Sequence, residues 1–301
     1  MLQVAPIAIA LWGTLIPGPN AVGFRSEILS DPIRQYELDR KPRPVQAATW
    51  YPAEASSGVS MQFGDYLDIT SPNPALAAFA VRLTKFTRNT VVEDLYQKPL
   101  SALSDGEKDT LNPLLKTGVY ARKGAVPRNG RFPLLLYSHG RDGTYEEDSV
   151  LFEYLASHGY VVLSTAFPCQ DAAYIGDCPG PSQFRVGDRV GDLYFLLHHA
   201  STLPFVDMSR IALAGHSAGG QTSIQWAFQN SLARPVVSLD STIERWGLGA
   251  ENFDDLRRMI EGNSRYATPT LLFAPLRHAR KNGEIVVGMD IRPKFESWMN
   301  R

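Results

Sequence analysis

Ile211-Ala-Leu-Ala-Gly-His-Ser217-Ala-Gly-Gly220 is the stretch on which the fold turns. Ile211 to Ala214 is a short apolar run with the length and bulk of a buried strand. Gly215-His-Ser217-Ala-Gly219 then has the form G-x-S-x-G, and a helix is expected from about Ala218. A serine at such a strand-to-helix turn is lifted above the sheet edge in strained backbone geometry. Small neighbours are needed because strand and helix approach closely there. The N-terminus of the following helix favours negative charge beside the hydroxyl. Ser217 is therefore the candidate nucleophile, and a tight turn without chemistry is the plainer alternative.

The same grammar extends in both directions. Leu134 to Tyr137, Tyr160 to Leu163, Val236 to Leu239 and Thr270 to Phe273 are short apolar runs. Between them, Glu146 to Ser157 and Arg185 to Ala200 carry a helical period. The first would turn Val150, Leu151, Tyr154 and Leu155 to one side, with Gly159 ending it. Strands alternating with helices imply a mostly parallel sheet covered on both faces. Upstream, Val45 to Trp50 reads as an early strand. Residues 60–131 read as two or three helices, Ala75 to Thr84 and Ser104 to Lys116 being the clearest, the second opening on a Ser-Asp cap signal. Such a block between strands suggests an inserted helical cap on one domain spanning 21–301.

Composition narrows the function. Apolar residues are 44% and charged residues 20% of the 301 positions, ordinary for a globular chain. A net charge of −1 gives no sign of nucleic acid or an anionic membrane as partner. No apolar run is long enough to span a bilayer. Met1 to Ile16 lacks any charged side chain, so residues 1–20 are expected to be an export-signal remnant without its basic start, or an N-terminal arm. The two cysteines, Cys169 and Cys178, share one polar segment. In an exported, secreted or periplasmic protein they would form a disulfide; in a cytoplasmic one, two thiols. Neither has the neighbours of a metal site.

Further residues fit acyl transfer. Tyr137-Ser-His139-Gly140-Arg141 follows the first strong strand. The oxygen of an attacked carbonyl gains charge and needs two N–H donors. The N–H groups of Ala218 and Arg141 are the candidates, and the His139 side chain is expected to brace the loop. Asp240, directly after the strand Val236 to Leu239, is the candidate acid that orients an imidazole; a helix cap is its plainer role. Of the six histidines, His278 is the one after Asp240, as the order Ser, Asp, His requires. No cofactor or metal is needed for this chemistry.

Ser138-His-Gly140, Leu155-Ala-Ser-His-Gly-Tyr160, Gly215-His-Ser-Ala-Gly-Gly220 and Leu239-Asp240, with Val22-Gly-Phe-Arg25 and Thr49-Trp-Tyr-Pro52, resemble the platelet-activating-factor acetylhydrolase-like branch of the dienelactone hydrolase relatives. The likeness runs from about residue 20 to residue 275, and the serine-to-aspartate spacing matches the family pattern. The resemblance implies an α/β-hydrolase fold and metal-free cleavage of short acyl esters, small-molecule or lipid-like, by serine, histidine and aspartate. The family pattern continues with a further strand and a loop bearing the histidine. If Ile285-Val-Val287 is that strand, the expected position falls near Arg292, where no histidine stands. Either His278 substitutes, or the histidine lies beyond Arg301, or the chain is a catalytically silent binding protein. A polyester-type hydrolase of bulkier substrates is the rival within the same chemistry.

Overall fold

A computed structural model describes residues 11–35, 40–141, 143–168, 186–230, 235–241, 270–273, 278–281 and 284–287. Cys169, Cys178 and Arg292 lie outside the described residues. The strands are β1 (Ala21–Gln35), β2 (Pro42–Ala53), β3 (Val59–Gln62), β4 (Gly118–Lys123), β5 (Phe132–Ser138), β6 (Val161–Ser164), β7 (Val206–His216), β8 (Val236–Leu239), β9 (Thr270–Phe273), β10 (His278–Lys281) and β11 (Glu284–Val287). The helices are α1 (Phe63–Leu67), α2 (Pro74–Tyr96), α3 (Asp105–Leu115), α4 (Ser149–Ser157), α5 (Val186–Ser201) and α6 (Ala218–Gln229).

Among the described residues, nine strands form one sheet in the order β3-β4-β1-β2-β6-β5-β7-β8-β9. From β6 to β9 every pairing is parallel. The chain passes from β5 out to β6, then returns to the other side of β5 as β7. In open sheets of this kind, ligands bind beyond the carboxyl ends of the strands where the winding reverses. Here those ends are Ser138 and His216.

Strand β5 shows why the sheet is covered twice. Leu134 and Leu136 pack with Val190, Leu193 and Leu196 of α5 and with Ile224 and Trp226 of α6. Leu135 and Tyr137 point the other way, into a cluster with Phe24, Trp50, Tyr66, Phe79, Leu83 and Phe152. The period of two in the side chains makes this division.

Three expectations change in the structure. The block 60–131 contains helices, but β3 and β4 bracket them and extend the sheet; β4 runs parallel to β1. Helix α2 continues to Tyr96 rather than ending near Thr84, because Thr87, Thr90 and Val92 prolong its buried side. Helix α4 begins at Ser149 and buries Phe152, Glu153 and Ala156, whereas Leu151 is exposed. A buried carboxylate displaced the apolar stripe expected there. Glu153 accepts from the Trp12 indole at 2.9 Å, the Tyr66 hydroxyl at 2.7 Å and the Ala121 N–H at 3.0 Å. That one side chain fastens the N-terminal segment, α1 and β4 together.

The segment before β1 is anchored at Trp12, Gly18 and Asn20. Trp12 is buried, and Gly18 and Asn20 bond to Ser157 at the end of α4. No described helix is long and apolar enough to cross a membrane.

Candidate active site

The site begins with the elbow. Ser217 sits between β7 and α6 with φ +50° and ψ −119°, a conformation costing about 1–3 kcal/mol. Packing holds it there. Its N–H donates to the carbonyl of Leu239 at 2.8 Å, and its carbonyl accepts from Gly220 at 3.0 Å. A Cβ on Gly215 would collide with the backbone of Gly219, and one on Gly219 with the carbonyl of Ser138. These glycines let helix, nucleophile strand and β5 touch backbone to backbone.

Register brings the other candidates alongside. Ser138 pairs with Gly215 and Leu239 pairs with His216. The residues just past each strand, His139-Gly140, Ser217 and Asp240, therefore share one edge of the sheet. A Cβ built on Gly140 would stand 3.7 Å from the Cβ of Ser217. Asp240 is half-buried at positive φ, +46°. Aspartate tolerates that region better than most residues. Ala218, buried, opens α6 directly after the nucleophile.

The loop after β5 is held by a residue that sequence reasoning missed. Arg189 of α5 is buried beneath it. Its Nη1 donates to the carbonyl of His139 at 2.7 Å; its Nη2 donates to those of Gly140 at 3.1 Å and Arg141 at 3.2 Å. The guanidinium also lies over the ring of Phe167, 4.7 Å from its centre. In a trans peptide the C=O and N–H point in opposite directions. Because the carbonyl of Gly140 faces Arg189, the N–H of Arg141 is aimed away from it. The neighbouring peptide obeys the same rule: His139 gives its carbonyl to Arg189, and the N–H of Gly140 reaches Glu147 at 3.2 Å.

His139 braces the loop, as its sequence position suggested. Its ring is buried against Phe167, and its Nδ1 lies 2.7 Å from the carbonyl of Gly140. Burial, helped by the charge of Arg189, depresses its pKa to about 3, so it stays neutral. Glu147 is the second missed residue. Besides Gly140, it accepts from Tyr137 at 2.8 Å and faces the Nδ1 of His216 at 3.6 Å. That carboxylate raises the pKa of His216, against partial burial.

His278 is placed less fully. Its backbone opens β10 and pairs with Val287, so β10 and β11 form a separate hairpin instead of adding to the large sheet. Ile285-Val-Val287 is thus a strand, but not the next strand of that sheet. Asn282-Gly283 between the two runs is a strong hairpin signal that explains the difference. The His278 side chain lies outside what is described. Among the described residues, none hydrogen-bonds the Ser217 hydroxyl, and no cluster of His, Cys, Asp and Glu suits a metal ion.

Residues 125–241 match the chlorophyllase family. That stretch runs from just before β5 to just after β8 and encloses the loop, the elbow and Asp240. A curated relative, chlorophyllase type 0 of Chenopodium album, is 30% identical over 125 residues, 38% of this chain and 32% of its own. The alignment thus spans about a third of that relative's length. Among solved structures, a ferulic acid esterase from Streptomyces cinnamoneus superposes with a TM-score of 0.51 at 19% identity, covering 86% of this chain and 74% of its own. With the strand order and the helices on both faces, the likeness shows an α/β-hydrolase fold.

Proposed function

We propose that this chain hydrolyses carboxylic esters through an acyl-enzyme on Ser217. The observation that carries the reading is the Ser217 backbone, held at φ +50° on a strand-to-helix elbow beside the Gly140-Arg141 loop. The stretch shared with chlorophyllases and the fold shared with a ferulic acid esterase support ester hydrolysis as the chemistry.

In the first step Oγ of Ser217 attacks the ester carbonyl carbon while a histidine takes the hydroxyl proton. The charge arriving on the carbonyl oxygen meets the N–H groups of Ala218 and Arg141. The tetrahedral adduct collapses, the C–O bond to the alcohol breaks, and the histidine returns the proton to the departing oxygen. Water then repeats the sequence on the acyl-enzyme and releases the acid. Asp240 orients the histidine. We assign that histidine to His278, which follows Asp240 in the chain and lies five positions past Phe273 of β9, the strand registered against β8.

The substrate class in this reading is a small or lipid-like ester with a short acyl group, in keeping with the acetylhydrolase-like motifs. Initial rates on p-nitrophenyl acetate test it. Wild type should turn over, Ser217→Ala should lose on the order of 10⁴-fold or more, and His278→Ala should fall with it. Turnover unaffected by Ser217→Ala would remove the mechanism. Turnover that survives His278→Ala would remove that assignment alone.

A further inference from the structure

Among the described residues, five that are not glycine have positive φ. Arg40 and Gln97 are exposed. Ser217 and Asp240 stand at the carboxyl ends of β7 and β8 and belong to the site already described. The fifth is Phe167, at φ +46° just past the end of β6. It is 5% exposed. A bulky side chain disfavours this backbone region, so the conformation persists where packing imposes it, and such residues cluster at functional sites.

The chain around Phe167 is fastened on both sides. Before it, β6 is paired with β2 and with β5 as far as Ser164. After it, the carbonyl of Pro168 accepts from Nη2 of the buried Arg43. Arg43 also grips Asp192 of α5, Nε to Oδ1 at 2.8 Å and Nη2 to Oδ2 at 2.8 Å. Asp192 lies one helical turn beyond Arg189, so this clamp joins the chain at Pro168 to the side of α5 that carries Arg189. The aromatic ring between the two fastenings meets both residues that hold the loop after β5. The Arg189 guanidinium lies 4.7 Å from the ring centre, and the His139 ring lies 5.1 Å away, tilted by 54°.

We propose that Phe167 is a positioning residue for the oxyanion donor: its ring seats Arg189 and His139, which together set the direction of the Arg141 N–H. The proposal rests on the ester-hydrolase reading above. The N–H groups of Arg189 already donate to the carbonyls of His139, Gly140 and Arg141. What remains to be held is the charged plane itself, and an aromatic face attracts it most strongly where water is excluded. An aliphatic side chain would fill the same space without that attraction. Phe167 thus acts through Arg189, and the strained backbone is what brings its ring beneath the loop.

The test replaces Phe167 with mono-, di- and trifluorinated phenylalanine. Each fluorine draws electron density from the ring face while nearly keeping its shape. On p-nitrophenyl acetate, kcat should fall stepwise, reaching roughly 3–30-fold with three fluorines, while KM stays within about threefold. Phe167→Leu should lose about as much as the trifluorinated ring. In an Arg189→Gln background, where no cation faces the ring, the series should be flat. Amide hydrogen exchange at Gly140 and Arg141, which needs no substrate, should quicken in the same order, with circular dichroism unchanged. A flat series in the Arg189 chain, or an equal decline in Arg189→Gln, overturns the proposal and leaves Phe167 as core filling. If exchange follows the series but even the wild-type chain hydrolyses no ester, Phe167 still positions the loop and the ester-hydrolase reading fails.

Discussion

The Nη1 of Arg189 donates to the carbonyl of His139 across 2.7 Å, although 50 residues separate them in the chain. This bond and its two neighbours turn three successive carbonyls toward the helix and the Arg141 N–H away from it. Arg189 is a positioning residue in this account. Lysine keeps the charge but cannot span three carbonyls. Arg189→Lys is expected to lower kcat by roughly 10–100-fold while KM stays within about threefold, since a loosened oxyanion donor matters most in the transition state. Steady-state kinetics, with circular dichroism as the check on folding, decide this. A rise in KM at unchanged kcat would argue for a substrate-binding role instead.

The raised pKa of Glu146 carries a stability signature. In the unfolded chain the group titrates near 4.5, and in the folded protein near 8. Below about pH 4.5 both states are protonated and the contribution is complete. As pH rises through that interval the unfolded chain loses its proton first, so stability falls, by at most about 1.4 kcal/mol per pH unit. Between pH 5.5 and 7.5 the wild type should lose stability relative to Glu146→Gln, with no further divergence above about pH 8. Urea melts across that range measure it, and parallel curves would contradict it.

Glu147 and His216 form a pair at the mouth of the site. Because the Glu147 carboxylate is the largest cause of the raised His216 pKa, Glu147→Gln should bring that pKa down. The amide oxygen can still accept from Gly140, which preserves the loop. Titration of the His216 ring by NMR gives the answer directly; an unchanged midpoint would show that the carboxylate does not act on the ring.

Glu153 is expected to matter for stability and little for chemistry. In Glu153→Gln one oxygen can still serve Tyr66 and Ala121, but the amide NH₂ then confronts the Trp12 indole N–H. Leaving such donors unsatisfied costs about 1–3 kcal/mol. Thermal unfolding should show the loss, while ester turnover of the folded fraction stays near wild type.

What was legible in the sequence was local. The runs Leu134 to Tyr137 and Ile211 to Ala214, the elbow around Ser217, the Ser104 cap and the helix-ending Gly159 all announce themselves within a few residues. Ser104 indeed shares a reciprocal cap with Glu107, and Gly159 adopts φ +95°. The buried polar residues were not legible. Arg189 and Glu153 look like the solvated face of a helix, and only partners far along the chain make them interior. Thr87 and Thr90, polar in sequence yet buried in the fold, hid the second half of α2. The β10–β11 hairpin was readable from Asn282-Gly283, but the expectation of one more sheet strand concealed it.

The central claim, that Ser217 is an activated nucleophile, is tested most directly by intact-mass measurement after exposure to a fluorophosphonate. The account expects one phosphonyl adduct on the wild-type chain, mapped to Ser217, and none on Ser217→Ala. An adduct of equal yield on Ser217→Ala, or a wild-type chain that stays unlabelled, would contradict it.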